Sequence, residues 1–232
     1  MKKKIIAMIP ARIGSQRLKK KNLALIARKP LIQYSIEAAK NAKIFDEIYI
    51  NSDSVIFSKI AKKNKIKFFN RSKNLGSSQT KSDDVVYNFI QNIKCDYIVW
   101  VNPIAPLQSS KEIVRAIKYF IKNKFNSLIT TNKFKYHALF QKKPLNFKIN
   151  SKFAKTQDLK EVELMVYSLM MWKSSSFIKN YKKNKTGILH GKVGYYPVSK
   201  FSGLIVKDIF DLKLISMLLK SMRTKFKLNY FK

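Results

Sequence analysis

Cysteine is almost absent from this chain. Cys95 stands alone, which excludes an internal disulfide and any cysteine-cluster metal site. Histidine is nearly as scarce: His137 and His190 lie far apart, with no acid or nucleophile patterned around either. The six glycines form neither G-x-x-x-x-G-K-S/T nor G-x-G-x-x-G, so both common glycine-rich phosphate loops are excluded. Nowhere does the chain approach the ~18–20 apolar residues of a membrane span. The lysines at positions 2–4 precede an apolar run, but it stops at Pro10 and meets Arg12, too short for a secretory signal. These absences predict a cytoplasmic protein with no membrane partner.

Negative charge is also sparse: 13 acidic residues face 48 basic ones, a formal net charge of +35. Such an excess invites a nucleic-acid reading. The residue types argue against it. The arginines are Arg12, Arg17, Arg28, Arg71, Arg115 and Arg223 alone, and arginine is the side chain suited to bidentate phosphate and base contacts. The lysines are spread along the whole chain, so no specific nucleic-acid partner is expected. The field they create attracts polyanions, nucleotides included, in a salt-dependent way.

What the chain does contain is a rhythm. With 232 residues and 46% hydrophobic content, it is long enough for one domain with a proper core. Lys4–Ile9 reads as a strand buried on both faces, and Leu31–Ala42 as a helix. Strands follow at Glu47–Ile50 and Lys67–Phe69, with a helix over Ile56–Lys63 between them. Ser82-Asp83-Asp84 reads as an N-cap with first-turn acids, opening a helix to Ile93. Tyr97–Val101 is a strand, Ser110–Phe120 a helix and Ser127–Thr131 a strand. Alternation of this kind marks a parallel sheet flanked by helices. Ligands then bind in the loops beyond the carboxyl ends of the strands: 10–22, 51–53, 70–82 and 102–109. From Asn132 the rhythm turns to β, including the apolar Val162–Trp172 with its cluster Met165, Met170, Met171 and Trp172. The segment at about 133–175 therefore reads as an inserted arm carrying a dimer contact. Strand character returns at Gly187–Val198, and Asp208–Lys220 closes the chain as a helix.

The loop Pro10-Ala11-Arg12-Ile13-Gly14-Ser15-Gln16-Arg17-Leu18-Lys19-Lys20-Lys21-Asn22 follows directly on a buried strand. Gly14 and Ser15 permit backbone N–H groups to turn inward as an anion-binding concavity. Arg12, Arg17 and Lys21 add positive charge. Transfer at phosphorus depends mainly on positioning and charge neutralisation, so the loop is the leading candidate for a triphosphate site.

Ala11, Arg12, Gly14, Ser15, Lys21 and Asn22 match A-R-x-G-S, five residues, K-N, and so the chain resembles the acylneuraminate cytidylyltransferases, the CMP-sugar synthetases. The likeness continues in Pro30–Ala39, in Ile48–Asp53, in Arg71 where the family has R-P, and in Ser82 and Asp84. It extends to Thr156-Gln157-Asp158-Leu159. The resemblance implies a three-layer α/β/α, Rossmann-like nucleotide-diphospho-sugar transferase fold, one domain over 1–232, with the β dimerisation arm inserted. It implies a reaction between CTP and a sugar acid of the nonulosonic type, giving a CMP-sugar and pyrophosphate in a homodimer. Arg12 and Lys21 are then catalytic. Ala11, Arg12, Gly14, Ser15, Lys21, Asn22, Arg71 and Ser82 bind the nucleotide, and Asn102 and Gln157 the sugar acid.

Two departures stand out. The family's L-Q-P-T-S-P-L is Val101-Asn102-Pro103-Ile104-Ala105-Pro106-Leu107 here, which keeps both prolines and loses two hydroxyls. The family also carries a D-x-D pair ahead of D-F or D-L, which holds Mg2+. Counting back from Asp211-Leu212 puts Ile205 and Lys207 in those positions. Asp208 is one residue off and is equally suited to cap the last helix, so the ligands of the expected Mg2+ are unassigned. Two rival readings remain: a nucleotide-binding relative without catalysis, serving as a regulator or subunit, and a basic nucleic-acid binder.

Overall fold

The computed structural model describes residues 2–222. Its main sheet is built on β1 (Ile5–Ala11), a run so apolar that both faces are covered. β1 lies parallel to β4 (Glu47–Ser52) on one side and β6 (Tyr97–Val101) on the other, and β4 is parallel to β5 (Lys67–Asn70). Beyond β6 come β10 (Val162–Lys173), β7 (Ser127–Phe134) and β11 (Val193–Pro197). The full order is β11-β7-β10-β6-β1-β4-β5.

Side-chain alternation along β1 divides the core into two layers. Ala7 and Ile9 point to the side covered by α1 (Leu31–Ala42), α2 (Ile56–Asn64) and α4 (Ser110–Lys122), where Ile36, Phe57, Ile117 and Phe120 fill the space. Ile6 and Met8 point to the other side, against Val86 and Phe89 of α3 (Ser82–Asn92) and Phe177 of α5 (Ser174–Asn184). The fold is therefore the expected α/β/α sandwich. A third, smaller cluster joins Ile26 and Leu31 to Val206 and to Ile215 of α6 (Ile209–Ser221). Ile26 belongs to a short hairpin of β2 (Leu25–Ile26) and β3 (Lys29–Pro30).

The structure corrects the sequence reading in four places. The sheet is not wholly parallel, because β10 runs antiparallel to both β6 and β7. The stretch at 133–175 is not all arm. Leu169, Met171 and Trp172 are fully buried in the middle of the sheet, while Val162–Met165 continue the pairing with β7 outward, past a register shift between Met165 and Met170. The outer part, with the hairpin of β8 (Leu139–Phe140) and β9 (Lys143–Pro144), is the projecting portion. Helix α5 was hidden by its serines and lysines. Phe177, Ile178 and Tyr181 nevertheless have helical spacing, and Phe177 is anchored edge-on against Trp172, ring centroids 5.7 Å apart. Finally, Ser82 does not cap α3. Lys81 is the cap residue and no side chain bonds there. The two acids tie α3 to its neighbours: Asp83 accepts the N–H groups of Gly187 and Ile188, and Asp84 accepts the Tyr181 hydroxyl at 2.5 Å.

Candidate active site: a cationic cleft at the strand ends

Strands β1, β4, β5 and β6 all end at the same edge of the sheet, and the loops that follow β1, β5 and β6 enclose a cavity of about 320 Å³. Three of the four loops expected to hold ligand line it. The fourth, 51–53, supports it from behind through Asp53.

The loop after β1 supplies most of the positive charge. Lys20 takes a left-handed conformation (φ 50°), and Lys21–Leu23 form one 3-10 turn that buries Lys21 and Asn22. The Lys21 ammonium donates to the carbonyls of Val206 and Lys207 at 3.2 and 3.3 Å. Burial, with Arg17 and Arg12 close by, pushes its pKa below the usual lysine value. A cation crowded by other cations gains from an arriving polyanion. Arg12 also faces the cavity, with its Nη1 donating to the Ser77 carbonyl at 3.0 Å.

Arg71 follows β5 and is almost completely buried. Burial pushes its pKa down, opposed by Asp53, whose Oδ1 lies 3.7 Å from Nη2. Gly76 makes this arrangement possible: a Cβ there would come within 2.3 Å of the Asp53 carboxylate, so only glycine lets the 73–80 loop close over Asp53. Three residues of the lining carry a buried side-chain atom without a hydrogen-bond partner, Asn22 Oδ1, Arg71 Nε and Trp100 Nε1, as do Asn51, Asp53, Asn88, Gln108 and His137 away from it. Orphaned groups of this kind are rare in folded proteins and ask for an explanation.

Of the residues singled out from the sequence, Arg12, Ser15, Lys21, Asn22, Arg71, Ser82 and Asn102 converge on this one cavity. The others do not. Ala11 is buried in the sheet. Gly14 sits outside the lining, in open space and without positive φ, so neither close approach nor backbone strain requires glycine there. The Ser15 N–H donates to the Ile13 carbonyl at 3.1 Å, so this amide is spent within a tight turn instead of opening a concavity. Gln157 lies exposed on a 3-10 turn of the arm (Thr156–Asp158), where its carbonyl accepts from Lys135. Sequence reasoning missed Ser77, Ser78, Thr80 and Trp100, all on the lining. The run Ser77-Ser78-Gln79-Thr80 following a strand was the available signal for the first three. Nothing in the local pattern distinguished Trp100 from a core residue.

The described residues form no all-protein cage for magnesium, an ion that commonly takes one or two carboxylates together with substrate phosphates. Among the described residues no cluster of three or more His, Cys, Asp or Glu exists. Asp208 is the N-cap of α6: its Oδ1 accepts from Phe210 and Asp211 N–H, while Asp211 Oδ2 accepts from Lys207 and Asp208 N–H. This reciprocal capping box uses one oxygen of each carboxylate, and the charges of Asp208 and Asp211 reach Lys21. His190 and Cys95 are structural. The His190 ring bonds Ser176 and the Gly187 carbonyl, and burial lowers its pKa; burial raises that of Cys95, which contacts Ser174.

A parallel-rich α/β sandwich with a cationic cleft beyond its strand ends defines a nucleotide-binding architecture. This chain belongs to the cytidylyltransferase family, whose model matches residues 6–216. It is 37% identical over 139 residues to the pseudaminic acid cytidylyltransferase of Campylobacter jejuni, a match covering 57% of this chain and 60% of that protein. The chain thus matches well under two thirds of the length of that relative. Over 228 residues it is 27% identical to the post-translational flagellin modification protein B of Campylobacter coli, covering 93% and 95% of the two chains. A solved CMP:2-keto-3-deoxy-manno-octonic acid synthetase complexed with CTP superposes with a TM-score of 0.72 at 14% identity, over 94% of this chain and 99% of that one. At that identity the likeness speaks for the fold alone. No helix among the described residues is long and apolar enough to cross a membrane.

Proposed function

We propose that this protein transfers the cytidylyl group of CTP to a hydroxyl of an acidic, nonulosonic-type sugar, releasing pyrophosphate. The observation that carries the reading is the convergence of Arg12, Arg17, Lys21 and Arg71 on one cavity at the strand ends, in a chain of the cytidylyltransferase family. The acceptor oxygen attacks the α-phosphorus, and the bond to the bridging oxygen of the β-phosphate breaks. Arg12 and Lys21 take up the charge that develops on the departing pyrophosphate, as preorganised cations do in phosphoryl transfer. Ser15, Asn22, Arg71 and Ser82 hold the rest of the nucleotide. Magnesium, if it accompanies CTP, would supply further charge neutralisation at the phosphates.

The named relatives support a sugar acid as acceptor, and Asn102 stands on the cavity wall where it would enter. The homodimer expected from the sequence is part of the proposal. The arm exposes Leu139, Phe140, Ile149, Phe153 and Leu164, an apolar surface of the kind that a second copy covers. Such a copy would also give the exposed Gln157 a route to a neighbouring site. A single free cysteine and a nucleoside triphosphate substrate fit a cytoplasmic setting.

The test is pyrophosphate release from CTP, UTP, GTP or ATP with pseudaminic acid, N-acetylneuraminate or 2-keto-3-deoxy-manno-octonic acid. CTP-selective release with one of the acids is expected. No release with any pair, or equal thermal stabilisation by all four nucleotides, sinks the proposal and leaves a polyanion-collecting surface.

A further inference from the structure

We infer that Asp211 is the positioning residue for Lys21: one oxygen of its carboxylate holds both peptide groups whose carbonyls receive the Lys21 ammonium, and so fixes that ammonium for a phosphate oxygen of the nucleotide. This deepens the cytidylyl-transfer reading above and rests on it. Lys21 Nζ donates to the carbonyls of Val206 and Lys207 at 3.2 and 3.3 Å. Those carbonyls belong to the successive peptide groups 206–207 and 207–208. The N–H of the first group is that of Lys207, and it donates to Asp211 Oδ2 at 2.7 Å. The N–H of the second is that of Asp208, and it donates to the same oxygen at 3.3 Å. In a planar trans peptide the C=O and N–H point in opposite directions, and no peptide bond among the described residues is cis. Each of the two groups is therefore clamped between a carboxylate behind it and an ammonium in front. Hydrogen bonds chained in this way polarise and strengthen one another.

The segment is anchored just ahead of the clamp. Val206 is fully buried in the third cluster with Ile26, Leu31 and Ile215, and its N–H donates to the Ile104 carbonyl at 2.8 Å. The two peptide planes that follow are held at their N–H ends by Asp211. An ammonium has three N–H donors. Two of those on Lys21 are spent on the carbonyls, which leaves one for a ligand, and Lys21 lines the cavity beside Arg12 and Arg17. Burial and those arginines lower the Lys21 pKa, while the charges of Asp211 and Asp208 raise it. Asp211 thus also helps to keep the ammonium charged. Asp208 differs in what it bonds: its Oδ1 accepts from the Phe210 and Asp211 N–H groups, inside the first turn of α6. Loss of Asp208 removes the capping box, whereas loss of Asp211 removes the box and the clamp together.

The experiment is a double-mutant cycle between Asp211→Ala and Lys21→Met, with Asp208→Ala as the control for helix capping. Binding of CTP and of inorganic triphosphate is read by titration calorimetry at fixed salt and without divalent metal. Asp211→Ala is expected to weaken both ligands about 10-fold, the order of one charge-assisted hydrogen bond. In the Lys21→Met background it is expected to weaken them no further, because residues that act through one another are not additive. Asp208→Ala is expected to lower the melting temperature and to leave both affinities close to wild type. Asp211→Asn keeps an oxygen acceptor and loses the charge. It is expected to bring the high-pH loss of triphosphate affinity to lower pH, since Lys21 then lacks a neighbouring anion. Additive losses in the cycle overturn the inference. So do equal losses in Asp208→Ala and Asp211→Ala, the mark of helix capping alone. If Asp211→Ala does not fold, Asp211→Asn replaces it in the cycle with the same outcomes. If wild-type protein binds triphosphate but releases no pyrophosphate from CTP with any acid, cytidylyl transfer fails as a reading, and the triphosphate cycle still decides the role of Asp211. Wild-type protein that binds neither ligand overturns both.

Discussion

Glu112 is the residue whose loss should reveal how the cleft is held open. Its carboxylate is buried in α4, 6% exposed, yet it makes no ion pair. Oε1 accepts the Ser199 N–H at 2.7 Å, while Oε2 accepts from Gln108 Nε2 at 3.3 Å, from Ser109 Oγ at 3.1 Å and from Ser202 Oγ. These bonds fasten the 199–202 turn to α4, and that turn leads directly to Val206 and Lys207, whose carbonyls receive Lys21. Hydrogen bonds to a charged group contribute ~1.5–3 kcal/mol each and do not add fully. Glu112→Ala, which also strands the Ser199 N–H, is therefore expected to cost about 3–4 kcal/mol. For a domain of this size that corresponds to a drop of roughly 6–16 °C in melting temperature. Burial by itself would raise the carboxyl pKa, but the bonds from Ser202, Ser199 and Ser109 outweigh it and hold it below the ordinary glutamate value of 4.5. A depressed folded pKa means the contribution is complete above about pH 5–6 and fades as pH falls through the folded value. The gap between wild type and Glu112→Ala in calorimetry should thus be full at pH 7 and shrink below pH 4. A melting temperature within 2 °C of wild type, or a gap independent of pH, would refute the argument.

Three further outcomes follow from the same geometry. Lys21→Met should weaken CTP binding by about 10- to 150-fold, the worth of one charge-assisted bond, measured by titration calorimetry at fixed salt. Asp208→Ala should cost ~1 kcal/mol of stability through loss of the N-cap while leaving the magnesium dependence of CTP binding as it was; a changed dependence would make Asp208 a metal ligand. Gly76→Ala should lower the melting temperature and displace Arg71, because the new methyl group overlaps the Asp53 carboxylate, and the accompanying loss of CTP affinity is read in the same titration.

The order of strands and helices was legible because burial on two faces leaves a mark in the chain. Ile5–Ile9 and Tyr97–Val101 have too few polar residues to be anything but central strands, and α4 carries Ile113, Ala116, Ile117 and Phe120 at helical spacing. The cationic loop at 12–21 was legible for a similar reason: arginines and lysines placed directly after a buried strand must emerge at the sheet's edge. Direction was not legible. Nothing within Val162–Trp172 states that it runs against its neighbours, because an antiparallel and a parallel central strand bury the same side chains.

The amino-acid sequence by itself determined the alternation of elements, the charge on the loop after β1 and the absence of an aspartate pair at Ile205 and Lys207. Only the tertiary structure decided which of those charges meet. Lys21 and the carbonyls of Val206 and Lys207 lie some 185 residues apart, and Arg12 and Arg71 line one cavity only because the loops after β1 and β5 end at the same edge of the sheet. Local pattern reports which groups a segment must hide or expose. Whether distant charges face one space depends on contacts between distant segments, which no local pattern records.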